Sequence, residues 1–243
     1  MTPAARHFKQ ENCTVPAGGT QNMAHWAVIF DVDGVLVNSY QAHFESWVQL
    51  FAELGYEYSE EEFRAGFGRT SAEILNEWSQ AHNAGFDAGK IGELDDRKEK
   101  HYRDVICQNF LPIDGATELI DALHKANCLL GIGSSGPPEN VQVVIDRLDR
   151  AERFGAVISR IDVQRGKPDP EVFLLGAQRL NVNPGRCIVI EDASAGIAAA
   201  NAAGMASIGL TGTTTRQRLA AANLVVDSLR ELTPPKIASL VED

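Results

Sequence analysis

The sequence contains no apolar run of the roughly 18 residues that a membrane-spanning helix requires. Basic residues are scarce: there are 22 Lys and Arg against 33 Asp and Glu, and the net charge of −11 argues against nucleic acid or an anionic membrane as a partner. Cysteine is rare and forms no C-x-x-C pair, which indicates reduced and mostly buried thiols in an intracellular protein. The four cysteines are Cys13, Cys107, Cys128 and Cys187. These absences predict a cytoplasmic protein.

The composition is that of an ordinary soluble globular protein. Hydrophobic residues occupy 44% and charged residues 23% of the 243 positions, so the chain can form one large domain or a core with a small second domain. Residues 1–24 show no periodicity and no apolar segment flanked by basic residues. We therefore expect a disordered or loosely attached extension there rather than a secretory signal. The oligomeric state is left open, and a monomer is compatible with the sequence.

A short apolar run at residues 26–30 is followed directly by Asp31, Asp33 and Gly34. Such a run is typical of a strand buried on both faces of a parallel sheet, although five residues also fit a buried helix. If the strand continues, the two Asp side chains point the same way. Gly34 then allows a sharp turn or a close approach to a ligand. Ligands of open α/β sheets bind at this end of the strands.

Two carboxylates at such a position suit phosphoryl chemistry. One carboxylate can act as a nucleophile, and the other can protonate the leaving oxygen and then activate water. Two anions facing a phosphate also require a divalent cation with oxygen ligands. The alternative is a strand that ends in an Asx turn, in which both side chains cap backbone groups.

The segments after residue 111 alternate between helical and strand patterns. This alternation predicts an α/β fold with a doubly wound parallel sheet covered by helices on both faces. The predicted strands are 26–30, 129–133, 156–159, 187–190, 206–209 and 224–226. The predicted helices are 116–126, 138–148, 169–180, 194–203, a short one at 216–222 and a tail helix after residue 228.

Residues 40–111, called the cap below, show helical patterns only, and residues 93–104 form a charged stretch typical of a solvated helix face. The cap is therefore predicted as an insertion into the sheet domain, which would consist of residues 25–39 and 112–243.

Three further polar groups follow predicted strands or lie in loops of the sheet domain. Ser134, Ser135 and Gly136 can hold a phosphate through a hydroxyl and backbone N–H groups, or Ser134 is simply a helix N-cap. Lys167, in a loop bounded by prolines, can anchor a phosphate or be solvated surface. Glu191 and Asp192 can bind a divalent cation or complement a helix dipole.

Together, in this order, these groups resemble the four motifs of the haloacid dehalogenase superfamily, over roughly residues 26–210. The resemblance is to the branch with a helical cap after the first motif, which includes β-phosphoglucomutase and sugar-phosphate phosphatases. It implies a Rossmann-like core, a nucleophile at Asp31 and a general acid/base at Asp33. The implied phosphate-binding residues are Gly34, Ser134, Ser135 and Lys167. The implied Mg²⁺ ligands are Asp31, the carbonyl oxygen of Asp33, Glu191 and Asp192.

In the cap, the resemblance implies that substrate is contacted by His43 and Trp47 on the first helix and by Gly68, Arg69 and Thr70 in a specificity loop. The chain departs from the mutase pattern at three positions. Ser71 stands where the mutase has a phosphate-binding Arg, and Pro137 and Pro138 replace a Lys-Asn pair that grips the second phosphate. A mutase must hold a bisphosphate at both ends, so these departures favour a phosphatase.

The leading prediction is a Mg²⁺-dependent phosphatase that hydrolyses a small phosphate ester, with a sugar phosphate favoured, through an aspartyl-phosphate. The second possibility is a β-phosphoglucomutase-type phosphomutase, with Arg69 replacing the missing contact. A remote third is a non-enzymatic phospho-accepting module, which would be about half this length and would lack a cap and a second Asp at i+2. The implied partner is a small phosphorylated metabolite, with neither nucleic acid nor membrane.

Overall fold

The computed structural model describes residues 26–66 and 70–241. Within these residues, six parallel strands form one sheet in the order β3-β2-β1-β4-β5-β6, which confirms the predicted fold class. The strands are β1 (Ala27–Phe30), β2 (Leu129–Gly133), β3 (Phe154–Ile158), β4 (Cys187–Glu191), β5 (Ala206–Leu210) and β6 (Leu224–Val226). The extension at residues 1–24 lies outside the described part of the chain.

The chain direction across the sheet reverses beside β1. From β1 the chain builds β2 and β3 on one side and then returns to place β4 on the other side. The register sets Phe30, the last residue of β1, beside Ile132 and Ile190, so all three strands end at nearly the same level. Doubly wound sheets bind ligands at such a switch point.

Helices cover both faces of the sheet because successive side chains of a strand point to opposite faces. Val28 and Phe30 belong to one apolar cluster, whereas Ala27 and Ile29 belong to another. The helices of the sheet domain are α5 (Ala116–Lys125), α6 (Pro138–Leu148), α7 (Glu171–Leu180), α8 (Ser194–Ala202) and α9 (Pro234–Ala238). Helices α5 and α6 pack in the first cluster, and α7 and α8 pack in the second.

The cap contains four helices between β1 and α5: α1 (Tyr40–Glu53), α2 (Glu60–Gly66), α3 (Ser71–Ala81) and α4 (Ala88–Gln108). They share a separate apolar cluster of Trp47, Leu50, Phe51, Tyr58, Phe63, Leu75, Trp78, Ile91 and Leu94. Helix α4 joins both parts, since its first half packs in this cluster and its last turns pack in the core of the sheet domain. The helical insertion is thus observed, and the exact domain bounds stay a prediction.

Four expectations about individual elements need correction, the first being that β3 begins at Phe154 instead of residue 156. The predicted helix at 216–222 is wrong, because hydrogen bonds of the i to i+3 kind make successive turns there and only Leu219 is fully buried. The tail after residue 228 forms a 3₁₀ turn at Leu229–Glu231 before the short α9. Helix α7 begins two residues later than predicted, after Pro170, where the Asp169 side chain accepts the N–H of Glu171.

None of the helices within the described ranges combines the length and apolar character needed to cross a membrane.

Candidate active site

Four of the predicted site residues meet where β1 and β4 end. Asp31 follows β1, Glu191 ends β4, Asp192 comes next, and Lys167 reaches in from the loop before α7. The three acidic residues are almost fully buried, with exposures of 7%, 1% and 7% for Asp31, Glu191 and Asp192. The aligned strand ends explain this convergence, since Asp31 and Glu191 both directly follow the paired residues Phe30 and Ile190.

Lys167 is a buried cation that links two of these carboxylates. Its Nζ donates to Asp31 Oδ1 at 2.6 Å and to Glu191 Oε1 at 2.7 Å, and it lies 4.9 Å from the centre of the Phe173 ring. Burial by itself would lower the pKa of Lys167, but the charges of Asp31 and Glu191 outweigh burial and raise this pKa. The solvated-surface alternative for Lys167 is therefore wrong.

The acidic groups carry more negative charge than Lys167 can balance. Burial is the main cause that raises the pKa of Asp31 to about 7, with Glu191 and Asp33 contributing and Lys167 opposing it. Burial, Glu191 and Asp31 likewise raise the pKa of Asp192 well above its usual value. Both shifts mean that the ionised forms are costly at this place unless further positive charge is present.

The same carboxylates fit a divalent cation. One oxygen from each of Asp31, Glu191 and Asp192 lies within 4.8 Å of the others. An all-carboxylate set is the donor chemistry that hard cations such as Mg²⁺ prefer, and the raised pKa values indicate that a cation would relieve repulsion. The carboxylate of Asp33 is not part of this cluster, and a role for its carbonyl oxygen stays a prediction.

Glu191 also contacts the start of α8. Its Oε2 accepts the N–H groups of Asp192 and Ala193 at 2.9 and 2.8 Å. The carboxylate therefore binds the backbone just before α8 in addition to Lys167. A side chain on Gly196 would collide with it, because a Cβ there would lie 1.8 Å from Glu191 Oε1. Binding a divalent cation and complementing the dipole of α8 are therefore compatible roles for Glu191.

Asp33 faces the cap instead of the acidic cluster. The strand ends at Phe30, and the Val32 carbonyl accepts three N–H groups of a tight turn, so the extended geometry that would align the two Asp side chains stops. Asp33 Oδ1 accepts the Tyr102 hydroxyl at 3.0 Å and lies 3.3 Å from His43 Nε2. Its side chain retains 38% exposure, against 10% for Asp31.

The two Asp residues of the motif thus have opposite pKa shifts. Burial by itself would raise the pKa of Asp33, but His43 and the hydrogen bonds from Ser39 and Tyr102 outweigh burial and hold this pKa below its usual value. Asp31, in contrast, has a raised pKa. A pair of carboxylates separated in this way is suited to two different roles.

The cap residues around Asp33 include groups that the sequence pattern did not indicate. His43 stacks on Tyr102 with ring centres 4.2 Å apart, and its Nδ1 lies 2.9 Å from Lys98 Nζ. Lys98 and Glu99 are 3% and 7% exposed, so the solvated-face interpretation of residues 93–104 is wrong for them. The i, i+4 spacing of Lys98 and Tyr102 on one helix was the available signal.

The other predicted cap residues lie in different surroundings. Trp47 is 2% exposed in the cap cluster, where it stacks on Phe51, and Lys98 Nζ lies 5.6 Å from the centre of its ring. Thr70 caps α3 through a capping box with Glu73. Gly68 and Arg69 lie outside the described residues. Substrate contacts by these cap residues stay predictions.

The predicted phosphate-binding residues at the end of β2 lie on the same edge as Asp31. Ser134 is buried, its Oγ accepts the N–H of Gly136 at 3.0 Å, and α6 begins only at Pro138, so Ser134 is not a helix N-cap. Ser135 is exposed. The N–H of Gly34 donates to the Val37 carbonyl at 2.9 Å, and Gly34 has a φ of +76°. Phosphate binding by these residues stays a prediction.

Gly34 allows the turn to approach Asp192, because a Cβ on it would lie 1.9 Å from Asp192 Oδ2. We expect Gly34→Ala to reduce the free energy of unfolding by about 1–2 kcal/mol for the left-handed backbone and by roughly 1–3 kcal/mol more for the collision. Gly204→Ala is the matched control, since its φ is +72° and its Cβ would meet nothing within 4 Å. Urea unfolding compares the two variants, and equal losses would contradict the close approach.

Comparisons with known proteins agree with this architecture. A family model described as haloacid dehalogenase-like hydrolase matches residues 27–204. The chain is 34% identical over 209 residues to validoxylamine A 7′-phosphate phosphatase of Streptomyces hygroscopicus subsp. limoneus, covering 86% of this chain and 96% of that one. It is 33% identical over 214 residues to β-phosphoglucomutase of Bacillus subtilis, covering 85% and 91% of the two chains.

A solved structure of β-phosphoglucomutase from Clostridium difficile superimposes with a TM-score of 0.77 at 30% identity, covering 89% of this chain and 97% of that one. The family model spans well over half of the chain, and the relatives match nearly their full lengths. The chain therefore belongs to the haloacid dehalogenase-like hydrolase family.

Proposed function

We propose that the protein is a Mg²⁺-dependent phosphatase that hydrolyses a small phosphate ester through a phosphorylated Asp31. The observation that carries the proposal is the buried Asp31, held by Lys167 at 2.6 Å beside the carboxylates of Glu191 and Asp192, with Asp33 two residues later facing His43 and Tyr102 of the cap. These contacts support a nucleophile, a cation site and an acid/base group close together, which are the groups that phosphoryl transfer needs.

In the first step, an oxygen of Asp31 attacks phosphorus, and the bond from phosphorus to the ester oxygen breaks. Asp33, in its protonated form, gives its proton to the departing oxygen. The negative charge of an incoming phosphate favours this protonated form by like-charge repulsion. The exposed fraction of the Asp33 side chain supports access to the leaving group.

In the second step, ionised Asp33 takes a proton from water as the water oxygen attacks phosphorus. The bond between phosphorus and Asp31 breaks, which releases phosphate and restores both side chains. The hydrogen bonds from Tyr102 and His43 favour the ionised form that this step needs. One carboxylate therefore serves as acid and then as base.

Lys167 and Ser134 are proposed to hold the transferring phosphoryl group, with backbone groups near Ser135 and Gly34 in support. Asp31, Glu191, Asp192 and the Asp33 carbonyl are the proposed ligands of Mg²⁺. When bound, this ion supplies positive charge that offsets repulsion between the carboxylates and the phosphate. Positioning and charge neutralisation are the main requirements of phosphoryl transfer.

The proposed substrate is a small phosphorylated metabolite, with a sugar phosphate favoured, in the cytoplasm. The names of the relatives support this class, since one is a phosphatase of a 7′-phosphate of validoxylamine A and another is a phosphoglucomutase. His43, Arg69 and Thr70 of the cap are proposed to contact the organic part of the substrate, with Gly68 and Trp47 shaping their surroundings.

A second candidate function is a phosphomutase, which the identities to two β-phosphoglucomutases favour. A mutase must bind a bisphosphate at both ends. Pro137 and Pro138 offer neither a charge nor an N–H group to a second phosphate, and Ser71 is neutral. These residues favour the phosphatase.

The proposed function is tested by phosphate release from a panel of sugar and nucleotide monophosphates. We expect release with Mg²⁺, none with EDTA, and a loss on the order of 10³-fold or more in Asp31→Asn, because the nucleophile is removed. Asp146→Asn, which changes an exposed carboxylate on α6, is the control and should keep full activity. Undiminished release by Asp31→Asn would contradict the assignment of the nucleophile.

The mutase alternative is tested with β-glucose 1-phosphate, with and without a glucose bisphosphate. We expect phosphate release that the bisphosphate does not activate and no formation of glucose 6-phosphate, because Ser71, Pro137 and Pro138 supply no charge to a second phosphate. Coupled detection of glucose 6-phosphate measures the isomerisation. Isomerisation that depends on added bisphosphate would establish the mutase instead.

A further inference from the structure

Glu99 of α4 is a buried carboxylate that the reaction proposed above does not use. Its side chain is 9% exposed and lies between the cap and the sheet domain. Glu99 Oε1 accepts Lys98 Nζ at 3.0 Å, and Glu99 Oε2 accepts Asn140 Nδ2 of α6 at 2.6 Å. Asn140 in turn accepts Arg103 Nη1 at 2.9 Å. Both oxygens of Glu99 are thus held in place, one by the cap and the other by the sheet domain.

The contacts of Glu99 continue to Asp33 through two side chains. Lys98 Nζ lies 2.9 Å from His43 Nδ1, and His43 Nε2 lies 3.3 Å from Asp33 Oδ1. An ammonium group can only donate hydrogen bonds, so His43 Nδ1 must accept. A neutral His43 therefore carries its hydrogen on Nε2 and donates it to Asp33.

The charge of Glu99 is what keeps this arrangement in place. The Lys98 side chain is 4% exposed, and its surroundings otherwise offer the His43 nitrogen and the ring faces of Trp47 and Tyr102, at 5.6 and 5.7 Å. A buried ammonium without a carboxylate is costly, so without Glu99 the Lys98 ammonium would move away from this position. His43 Nδ1 would then lose its donor, and the tautomer with its hydrogen on Nδ1, which cannot donate to Asp33, would become accessible.

We propose that Glu99 is a positioning residue for phosphoryl transfer, which acts through Lys98 and His43 to orient the acid/base Asp33. This inference rests on the proposed function, in which Asp33 protonates the leaving oxygen. Because Asn140 belongs to the sheet domain, the arrangement is complete only when α4 is docked on α6. The carboxylate of Glu99 therefore couples the docking of the cap to the orientation of Asp33.

The dependence on the leaving group tests this role. p-Nitrophenolate leaves without a proton, whereas the alkoxide of a sugar needs one, so a defect in Asp33 affects the two esters differently. In Glu99→Gln we expect kcat/KM to fall about tenfold or more for the best sugar phosphate and by less than about threefold for p-nitrophenyl phosphate. The ratio kcat/KM is used because it reports the step that cleaves the ester.

Asp95→Asn is the matched control for a merely structural effect. Asp95 also lies on α4 and pairs with Arg160 of the sheet domain at 2.9 Å, but it has no contact to His43. Substitution of Asp95 should change kcat/KM for both esters to the same extent. Equal losses for both esters in Glu99→Gln, or no loss, would overturn the role of Glu99. A wild-type protein that releases phosphate from neither ester would instead overturn the proposed function.

The tautomer of His43 provides a second measurement that does not depend on turnover. In protein labelled with ¹⁵N-histidine, the His43 signals, assigned from their loss in His43→Gln, should show a hydrogen on Nε2 and an acceptor at Nδ1. In Glu99→Gln we expect this distribution to change. An unchanged His43 spectrum in Glu99→Gln would contradict the proposed link between Glu99 and His43.

Discussion

The buried ammonium of Lys167 is the interaction on which the rest of the site depends. It bridges Asp31 and Glu191, which come from adjacent strands, and its charge offsets the cost of burying two carboxylates side by side. Removing one partner of such a buried pair typically costs about 3–5 kcal/mol, so this contact also ties the loop before α7 to the sheet. The remaining excess of carboxylates is the physical reason to expect a divalent cation there.

The turn after β1 directs the carboxylates of Asp31 and Asp33, two residues apart in sequence, to different surroundings. Because the strand stops at Phe30 and Gly34 takes a positive φ, Asp31 faces Lys167 while Asp33 faces His43 and Tyr102 of the cap. In the proposed reaction, the sheet domain would thus supply the nucleophile, and the cap would supply the groups that orient the acid/base. Asp33 therefore has these partners only while the cap lies against the sheet edge.

The sheet and its edge could be predicted from the sequence because they depend on local signals. Short apolar strands between amphipathic helices define a parallel sheet, and polar residues directly after those strands must meet at one edge. Contacts between the cap and Asp33 are long-range, so the charged stretch around Lys98 and Glu99 predicts exposed side chains although both are buried. The pattern at 216–222 wrongly predicts a helix because it carries no information on the hydrogen bonds that tertiary packing selects.

Trapping the phosphorylated protein tests the central claim most directly. Wild-type protein mixed rapidly with a substrate phosphate and quenched in acid within the first turnover should carry a phosphoryl group on the peptide that contains Asp31. Peptide mass spectrometry locates the group, and Asp31→Asn should carry none. A phosphoryl group on another residue, or a first turnover of phosphate release with no protein-bound phosphate at any time, would contradict the account.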